Sequence, residues 1–177
     1  NLYLLKKKMG LGKETIRIAH MNIVLRPFDY NDYVSAFENW TSDRRTAQHL
    51  SWNPHKSCKD TENLIRQWIH EYVQTENYRW CIDFHGASIG CLEVKSRKKT
   101  HEISYCLGSK YWNQGIMTCA LQECLNYLSQ NNMTEFMALC LDANDKSKRV
   151  LEKNGFAVTA TTQQNGNTYL VYTKSTV

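Results

Sequence analysis

One segment of the sequence constrains the fold more than any other. It begins with an alternating pattern at 101–107, crosses Gly115 into a long amphipathic helix, and ends in an uninterrupted apolar run at 136–141. The helical part repeats its apolar residues with a period near 3.6 from Met117 to Leu128. A strand, a helix and a strand in this order form a right-handed crossover between two parallel strands. The apolar run predicts a central strand that is covered on both faces.

Turn signals identify antiparallel strand pairs elsewhere in the chain. Two pairs of strands are predicted to form hairpins, one turning at His85-Gly86 and one at Asn165-Gly166. The predicted strands lie at 22–28, 80–84, 88–94, 101–107, 136–141, 156–162 and 168–173, and the predicted helices at 31–40, 60–75, 115–129 and 146–153. This order predicts an α/β (α+β) chain with a mixed sheet and helices on both faces.

The length of 177 residues is that of one domain, which we expect at 21–177. Residues 1–20 lack a clear period and are expected to be a tail or residues left from cloning, with Met9 or Met21 as alternative native starts. The apolar fraction of 42% is too high for a disordered chain. No apolar run is long enough to span a bilayer, and no signal-peptide pattern follows the lysines at 6–8. We therefore expect a soluble, cytoplasmic protein.

The chain has seven cysteines and a net charge of +5, which bear on disulfides, metal sites and polyanion binding. The cysteines are odd in number and contain no C-x-x-C pair, which predicts reduced thiols and no structural metal. Two short basic runs, 6–8 and 97–99, carry part of the positive charge. Such runs are either solvated or a footprint for a polyanion such as RNA.

The loop at 112–118 is the first candidate binding site. It leads into the first turn of a helix, where unpaired backbone N–H groups and a partial positive charge favour an anion. Gly115 would let the backbone close on phosphate oxygens, although an ordinary turn between strand and helix would also use a glycine. The loop lacks the P-loop and G-x-G-x-x-G patterns, which disfavours nucleoside triphosphates and nicotinamide cofactors.

A second segment, 141–156, indicates which kind of ligand the loop is expected to bind. Its Asn144-x-x-Ser147 and Glu152-Lys153-x-Gly155-Phe156 resemble an element of the GNAT acyltransferases, and the loop at 112–118 resembles their pyrophosphate loop, Q/R-x-x-G-x-G/A. The segments 23–27, 51–55 and 102–107 are similar to the branch named for ribosomal-protein-alanine N-acetyltransferases. The resemblance runs from about Asn22 to Lys174.

This resemblance implies the acyl-CoA N-acyltransferase fold, with a mostly antiparallel sheet of about seven strands and a central splayed parallel pair. Two residues depart from the loop pattern. Trp112 stands in place of Gln or Arg, and Met117 in place of the second Gly or Ala. The departures leave coenzyme binding expected and its strength open.

The implied activity is direct transfer of an acetyl group from acetyl-CoA to a primary amine, either a protein N-terminus or a small molecule. Main-chain amides of the loop would hold the diphosphate, and the strand edge at 105–107 would pair with the pantetheine arm. The implied coenzyme-binding residues are Tyr105, Cys106, Leu107, Trp112, Asn113, Gln114, Gly115, Ile116, Met117, Thr118, Asn144, Ser147 and Lys153. Asn144 could instead cap a helix, and Lys148 and Arg149 are alternatives to Lys153 as phosphate ligands.

Three residues are candidates for catalysis. Ser147 matches the family serine that would protonate the departing thiolate, unless it is a surface serine. Glu93 and Glu102 are candidates for the general base, directly or through water, and each could instead form an ion pair at a sheet edge. An N-terminal amine needs little help, since its pKa is about 7.7–8.0, whereas a lysine amine needs a base. Covalent catalysis by Cys106 or Cys119 is disfavoured.

The acceptor is left open by the sequence. Its pocket is expected between the helices at 31–40 and 60–75 and the loop at 52–55, with the aromatic side chains Tyr33, Trp40 and Trp52 either lining it or belonging to the core. The alternative function is a non-catalytic module of the same fold that senses acyl-CoA or binds RNA or the ribosome. A homodimer is open, and membrane or nucleic-acid partners are disfavoured.

Overall fold

The computed structural model describes residues 14–75 and 77–176. The strands are β1 Ile16–Ile18, β2 Ile23–Arg26, β3 Tyr78–Phe84, β4 Ala87–Arg97, β5 Thr100–Leu107, β6 Glu135–Leu141, β7 Ala157–Gln164 and β8 Asn167–Ser175. The helices are α1 Asp32–Ala36, α2 Arg44–Ala47, α3 Cys58–Glu71, α4 Ile116–Gln130 and α5 Asp145–Lys153. A π-helical turn, Phe37–Thr41, extends α1. None of the helices in these residues combines the length and apolar character needed to cross a bilayer.

One mixed sheet organises the domain, in the strand order β1-β2-β3-β4-β5-β6-β8-β7. Every neighbouring pair is antiparallel except β5 and β6, which are the two ends of the predicted crossover. This parallel pair is joined only at His101 with Phe136 and at Glu102 with Met137, and the two strands then diverge. The predicted fold class and the splayed central pair are therefore confirmed.

Two short elements were absent from the prediction. The sheet has eight strands because β1 pairs with β2, so it begins five residues before the predicted domain start at residue 21. Helix α2 has four residues and is capped by Asp43, whose side chain accepts from the Arg45 N–H. Elements of three or four residues are too short for either period to appear in the sequence. Residues 1–13, which hold most of the predicted tail, lie outside the described residues.

Helices cover both faces of the sheet and create two cores. On one face α4 and α5 pack on a cluster that includes Trp80, Leu121 and Phe136. On the other face α1 and α3 pack on a smaller cluster that includes Trp40 and Cys81. Adjacent residues of β3 point to opposite cores, so this strand is buried on both sides.

Strand β6 is covered on one face only, which corrects the prediction from its apolar run. Ala138 and Cys140 are buried under the helices, but Leu139, which points the other way, is 37% exposed. Helices α1 and α3 pack on the cluster around Cys81 of β3 and Cys106 of β5, which contains no residue of β6. The sheet therefore has an open, partly apolar strip beside the splayed pair.

Two arginine–glutamate pairs on neighbouring strands differ strongly in burial. Arg79 contacts Glu93 and Glu71, lies 4.5 Å from the centroid of the Trp68 ring, and its side chain is only 8% exposed. Arg97 pairs with Glu102 at 2.5 Å, but its side chain is 64% exposed. The first pair therefore stands in a low-dielectric environment and the second in solvent.

Replacing Arg79 by Met is expected to lower the free energy of unfolding by about 3–5 kcal/mol, because Glu71 loses its cation and Glu93 keeps only the more exposed Lys95. The matched change Arg97→Met removes an exposed partner and is expected to cost at most about 1 kcal/mol. Urea denaturation followed by tryptophan fluorescence measures both values. Equal losses at the two positions would contradict this distinction.

Candidate active site

A cavity of about 450 Å³ occupies the gap where β5 and β6 diverge. Its walls include Tyr105 and Cys140, which point toward α4 and α5. They also include Ser104 and Leu139, which point toward the open strip on the other face. Because residues of both faces line one cavity, it runs through the sheet. The peptide groups beyond the two joined residue pairs are free of the β5–β6 ladder.

The loop before α4 presents backbone donors to this cavity. The first hydrogen bond of the helix runs from the Cys119 N–H to the Gly115 carbonyl oxygen, 3.0 Å away. The N–H groups of Ile116, Met117 and Thr118 precede it and have no acceptor within the helix. All three residues line the cavity. With the helix dipole, these groups form an anion site of the kind that binds phosphate.

Gly115 is required by its backbone conformation. Its φ of +76° lies in the left-handed region, and an added Cβ would meet no atom within 4 Å. Asn113, with φ of +61°, is one of the few residue types that tolerates this region. Two left-handed residues within three positions turn the chain sharply from β5 into α4.

Both departures from the family loop pattern fit this geometry. The Met117 side chain is only 6% exposed and packs into the core beneath α4. The Trp112 indole N–H donates to the carbonyl oxygen of Leu107 at 2.7 Å, which ties the loop to the last residue of β5. Neither side chain obstructs the backbone N–H groups.

Ser147 faces the cavity from the first turn of α5. Its backbone N–H donates to Oδ1 of Asn144, 3.1 Å away, so Asn144 is the helix cap and its amide nitrogen stays available on the cavity wall. The Ser147 hydroxyl lies 2.9 Å from the hydroxyl of Tyr105. Burial raises the pKa of Tyr105, so its phenol stays protonated at neutral pH. The pair therefore holds a hydroxyl group at a fixed place beside the gap.

Most of the predicted coenzyme residues lie together around the cavity. Those that line it are Tyr105, Cys106, Leu107, Trp112, Asn113, Gly115, Ile116, Met117, Thr118, Asn144, Ser147 and Lys153. Gln114 does not, because its side chain turns back and donates to the Lys110 carbonyl oxygen at 3.1 Å. Lys148 does not either, because it pairs with Asp142 and Asp145.

The two predicted general bases are not brought to the cavity. Glu93 pairs with Arg79 and, at 3.2 Å, with Lys95, and Glu102 pairs with Arg97. Both carboxylates therefore form ion pairs, which the sequence analysis gave as the alternative to acting as a general base. Each carboxylate is paired with a cross-strand arginine, and neither is among the described residues that line the gap.

The aromatic candidates for the acceptor pocket pack in a core, and the candidate cysteines are free thiols outside any visible catalytic arrangement. Trp40 is 1% exposed and packs on Trp68 with ring centroids 6.3 Å apart. Tyr33 and Trp52 pack on the same core and do not line the cavity. All seven cysteines are free. Cys119 lies 3.9 Å from Nε2 of His20, a partner the sequence did not reveal, but it is outside the cavity.

Sequence reasoning missed the contribution of α2 and the residues after it. Thr46 and His49 line the cavity. Asp43 accepts hydrogen bonds from the Thr46 hydroxyl at 2.7 Å and from the Ser109 N–H at 3.0 Å. Burial acts to raise the pKa of Asp43, but the bonds from Ser109 and Thr46 outweigh it and lower the pKa to about 2. The Ser42-Asp43 cap was the only available sequence signal.

Three cations of α5, namely Lys146, Arg149 and Lys153, stand at the cavity wall or rim. Within residues 14–75 and 77–176, no group of three or more His, Cys, Asp or Glu side chains is placed to hold a metal ion. The arrangement therefore offers peptide N–H groups, one oriented hydroxyl and several cations. It is suited to holding a phosphorylated molecule whose reactive end reaches into the sheet.

Comparisons with known proteins agree with this geometry. The family model described as "Acetyltransferase (GNAT) domain" matches residues 22–157. The chain is 23% identical over 121 residues to YdaF of Bacillus subtilis, provisionally named a ribosomal N-acetyltransferase. That alignment covers 65% of this chain and 66% of YdaF, just under two thirds of its length.

Solved structures share the fold over nearly the whole chain. The ribosomal L7/L12 α-N-protein acetyltransferase RimL, in complex with coenzyme A, superposes with a TM-score of 0.80 at 20% identity, covering 92% of this chain and 98% of RimL. The ribosomal-protein-S5-alanine acetyltransferase of Vibrio fischeri gives a TM-score of 0.76 at 16% identity, covering 92% and 97%. At these identities the matches establish the fold.

Replacing Gly115 by Ala is expected to weaken binding of coenzyme A about tenfold, since a left-handed Ala costs about 1–2 kcal/mol and moves the N–H groups that follow it. Gly115→Asn is the matched control, because Asn tolerates this conformation and open space surrounds the site. Calorimetric titration with coenzyme A measures both. Wild-type affinity in the Ala variant would show that the left-handed turn is not needed.

Proposed function

Because the chain belongs to the acetyltransferase (GNAT) domain family, we propose that it transfers the acetyl group of acetyl-CoA to the N-terminal α-amine of a protein. The observation that carries the proposal is the gap between β5 and β6. It connects the phosphate-binding loop and Ser147 on one face with the open strip on the other face. Acyl donor and amine can therefore approach from opposite sides of the sheet.

The residues present fit the acyl donor. The N–H groups of Ile116, Met117 and Thr118 suit the diphosphate, and the free strand edges beside Tyr105 suit the amides of the pantetheine arm. The amide nitrogen of Asn144 offers a further donor. When bound, the coenzyme supplies an activated acetyl thioester. The protein supplies its position relative to the gap.

The cavity wall favours an α-amine over a lysine side chain. No Asp or Glu is among the described residues that line the cavity, so no carboxylate is placed to take a proton there. An α-amine has a pKa of about 7.7–8.0 and is partly neutral near pH 7.5, whereas a lysine amine with a pKa of about 10.4 is neutral in roughly one molecule per thousand. An α-amine can therefore attack after losing its proton to solvent.

Ser147 is the residue we assign to the leaving group. The amine nitrogen forms a bond to the acetyl carbon, the carbon–sulfur bond breaks, and the sulfur leaves with the electron pair. The nitrogen then releases one proton to solvent, which leaves the amide and the thiolate. The Ser147 hydroxyl donates a hydrogen bond to this sulfur, which stabilises the developing thiolate. Tyr105 is a positioning residue, because its hydroxyl holds that of Ser147 at 2.9 Å.

The relatives and the open strip support the choice of acceptor class. Proteins of the same fold are described as acetylating ribosomal proteins, which makes the N-terminus of a ribosomal protein the first acceptor to test. An extended N-terminal segment would lie over the exposed Leu139 and Ser104. A ribosomal acceptor and seven free thiols both suit a reducing compartment, and we place the reaction in the cytoplasm.

The structure removes one of the grounds for the non-catalytic module. Met117, one of its motives, has its side chain in the core. Of the two basic runs, 6–8 lies outside the described residues, and Arg97 in the second is paired with Glu102. Steady release of free thiol in the presence of an N-terminal peptide and acetyl-CoA is the direct test of the enzymatic proposal, and its absence with every peptide and amine would refute it.

Ser147→Ala is expected to lower kcat about 100-fold, because the departing thiolate loses its hydrogen-bond donor, while the KM for acetyl-CoA changes little. Ser129→Ala removes a serine hydroxyl that bonds Thr176 far from the cavity and serves as the control. Thiol release under saturating peptide gives kcat. A Ser147→Ala enzyme with wild-type kcat would remove Ser147 from the mechanism.

The pH profile tests whether Glu93 or Glu102 acts as the general base. For a peptide with a free N-terminus, kcat/KM is expected to rise about tenfold per pH unit and to level off near pH 8, following the α-amine itself. Glu93→Gln and Glu102→Gln should keep this profile. A peptide with a blocked N-terminus and an internal lysine is the negative control. A profile displaced by either Gln variant would restore that glutamate as the base.

A further inference from the structure

Three cysteines stand side by side across the middle of the sheet. Cys81 of β3 pairs in register with Cys91 of β4, and Cys91 pairs in register with Cys106 of β5. All three belong to the smaller core, on the face that α1 and α3 cover. Directly opposed residues of neighbouring strands have their side chains on one face and within reach of each other. The row therefore gives Cys91 two candidate sulfur partners.

Cys106 is the partner that Cys91 contacts. Their Sγ atoms lie 3.8 Å apart, and no other two cysteines among the described residues are in sulfur contact. Cys81 is 0% exposed, so a reagent in solution cannot reach its thiol. Cys106 lines the cavity between β5 and β6. The pair of Cys91 and Cys106 thus combines sulfur contact with access from the cavity.

The backbone suits a covalent bond between these two sulfurs. The Gly108 N–H donates to the Ile89 carbonyl oxygen at 2.8 Å, so Ile89 and Gly108 are a hydrogen-bonded pair of the β4–β5 ladder. Cys91 and Cys106 lie two residues further along in the same register and are a pair of the same kind. The Cα atoms of such pairs are about 5.5 Å apart, which is within the range that disulfides span. Bond formation therefore needs rotation of the side chains and no change in strand pairing.

The two thiols differ in their protonation. The hydrogen bond with Cys106 and burial raise the pKa of Cys91 well above that of an ordinary thiol, so Cys91 keeps its proton. Cys91 is then the donor in the contact with Cys106. That hydrogen bond stabilises a thiolate at Cys106, and the thiolate is the form that attacks a disulfide. Cys106 is therefore the nucleophile of the pair, and Cys91 is the thiol that resolves the intermediate.

We propose that Cys91 and Cys106 form a modification site for low-molecular-weight disulfides such as glutathione disulfide, which oxidise the pair to a cross-strand disulfide. This step needs neither acetyl-CoA nor an acceptor, so it is independent of the proposed function. A reducing compartment keeps the pair as the free thiols that the structure shows. The site responds when the ratio of disulfide to thiol in the compartment rises.

The reaction has two steps. The Cys106 thiolate, which has lost its proton to solvent, forms a bond to one sulfur of glutathione disulfide. The sulfur–sulfur bond of the reagent breaks, and the first glutathione leaves as a thiolate and takes up a proton. The Cys91 sulfur then loses its proton and bonds to the Cys106 sulfur, and the second glutathione leaves and takes up that proton. The cysteine pair is oxidised by two electrons, and glutathione disulfide is reduced by the same two.

Peptide mass spectrometry of the full chain under non-reducing conditions tests the site. Native protein is treated with glutathione disulfide, its remaining thiols are blocked with iodoacetamide, and it is digested with trypsin. Peptide 80–95 should appear joined to peptide 100–110, at their summed mass less two hydrogens, and dithiothreitol should separate them. Peptide 80–95 also contains Cys81, so loss of the link in Cys91→Ser assigns the bond to Cys91. Absence of the link in wild-type protein, or its persistence in Cys91→Ser, would overturn the proposal.

The same measurement tests the order of attack. Cys91→Ser keeps a hydroxyl that can donate to Cys106, and this variant should stop at a glutathione adduct on peptide 100–110. Cys106→Ser should leave Cys91 unmodified, and glutathione on Cys91 in this variant would overturn the assignment of Cys106 as the nucleophile. Cys119→Ser is the matched control, because Cys119 contacts His20 and no other cysteine. It should form the link to the wild-type extent, and loss of the link there would also contradict the assigned pair.

Discussion

The separation of β5 and β6 is the constraint on which the rest of the site depends. Two residue pairs join these strands, and beyond them each strand presents peptide groups that a closed sheet would pair. Leaving such groups unpaired inside a protein is costly, so the gap is stable only where solvent or a ligand can reach it. That requirement explains why the cavity passes through the sheet. It also explains why Tyr105, on the edge of the gap, can place its hydroxyl against Ser147 on a separate helix.

The loop that follows β5 places the first turn of α4 at this gap. Left-handed Asn113 and Gly115 turn the chain so that α4 starts at the cavity, and the core position of Met117 fixes the first turn of that helix. Asp43 adds a link from α2 to Ser109, which couples a helix from the opposite face of the sheet to the same loop. Its carboxylate is held ionised by these bonds, with a pKa lowered to about 2. This link persists at any pH at which the domain functions, because a carboxylate with a depressed pKa loses its stabilising effect only as the pH falls toward that value.

The long periodic elements and the Gly115 loop could be predicted from the sequence because their patterns are local. The sequence offered both catalysis and ion pairing for Glu93 and Glu102 and could not name the ion-pair partners, since each partner is an arginine that strand pairing brings beside it. The apolar run of β6 was read correctly as a central strand, but one of its faces is open. A sequence pattern records that apolar side chains are needed there. It does not distinguish contact with a helix of the same chain from contact with a bound partner.

Trp112 shows how a departure from a family pattern can keep the chemistry of the site. The resemblance expects Gln or Arg at this position, a residue that could contact a phosphate itself. An indole cannot supply a positive charge, but it can hold one, and here it holds two that are far apart in the sequence. The positive charges beside the loop are therefore carried by Arg45 of α2 and Lys146 of α5. Each of these helices is positioned by its own cap, Asp43 or Asn144. The placement of these two cations beside the loop therefore depends on three separate elements of the chain, namely the loop itself, α2 and α5.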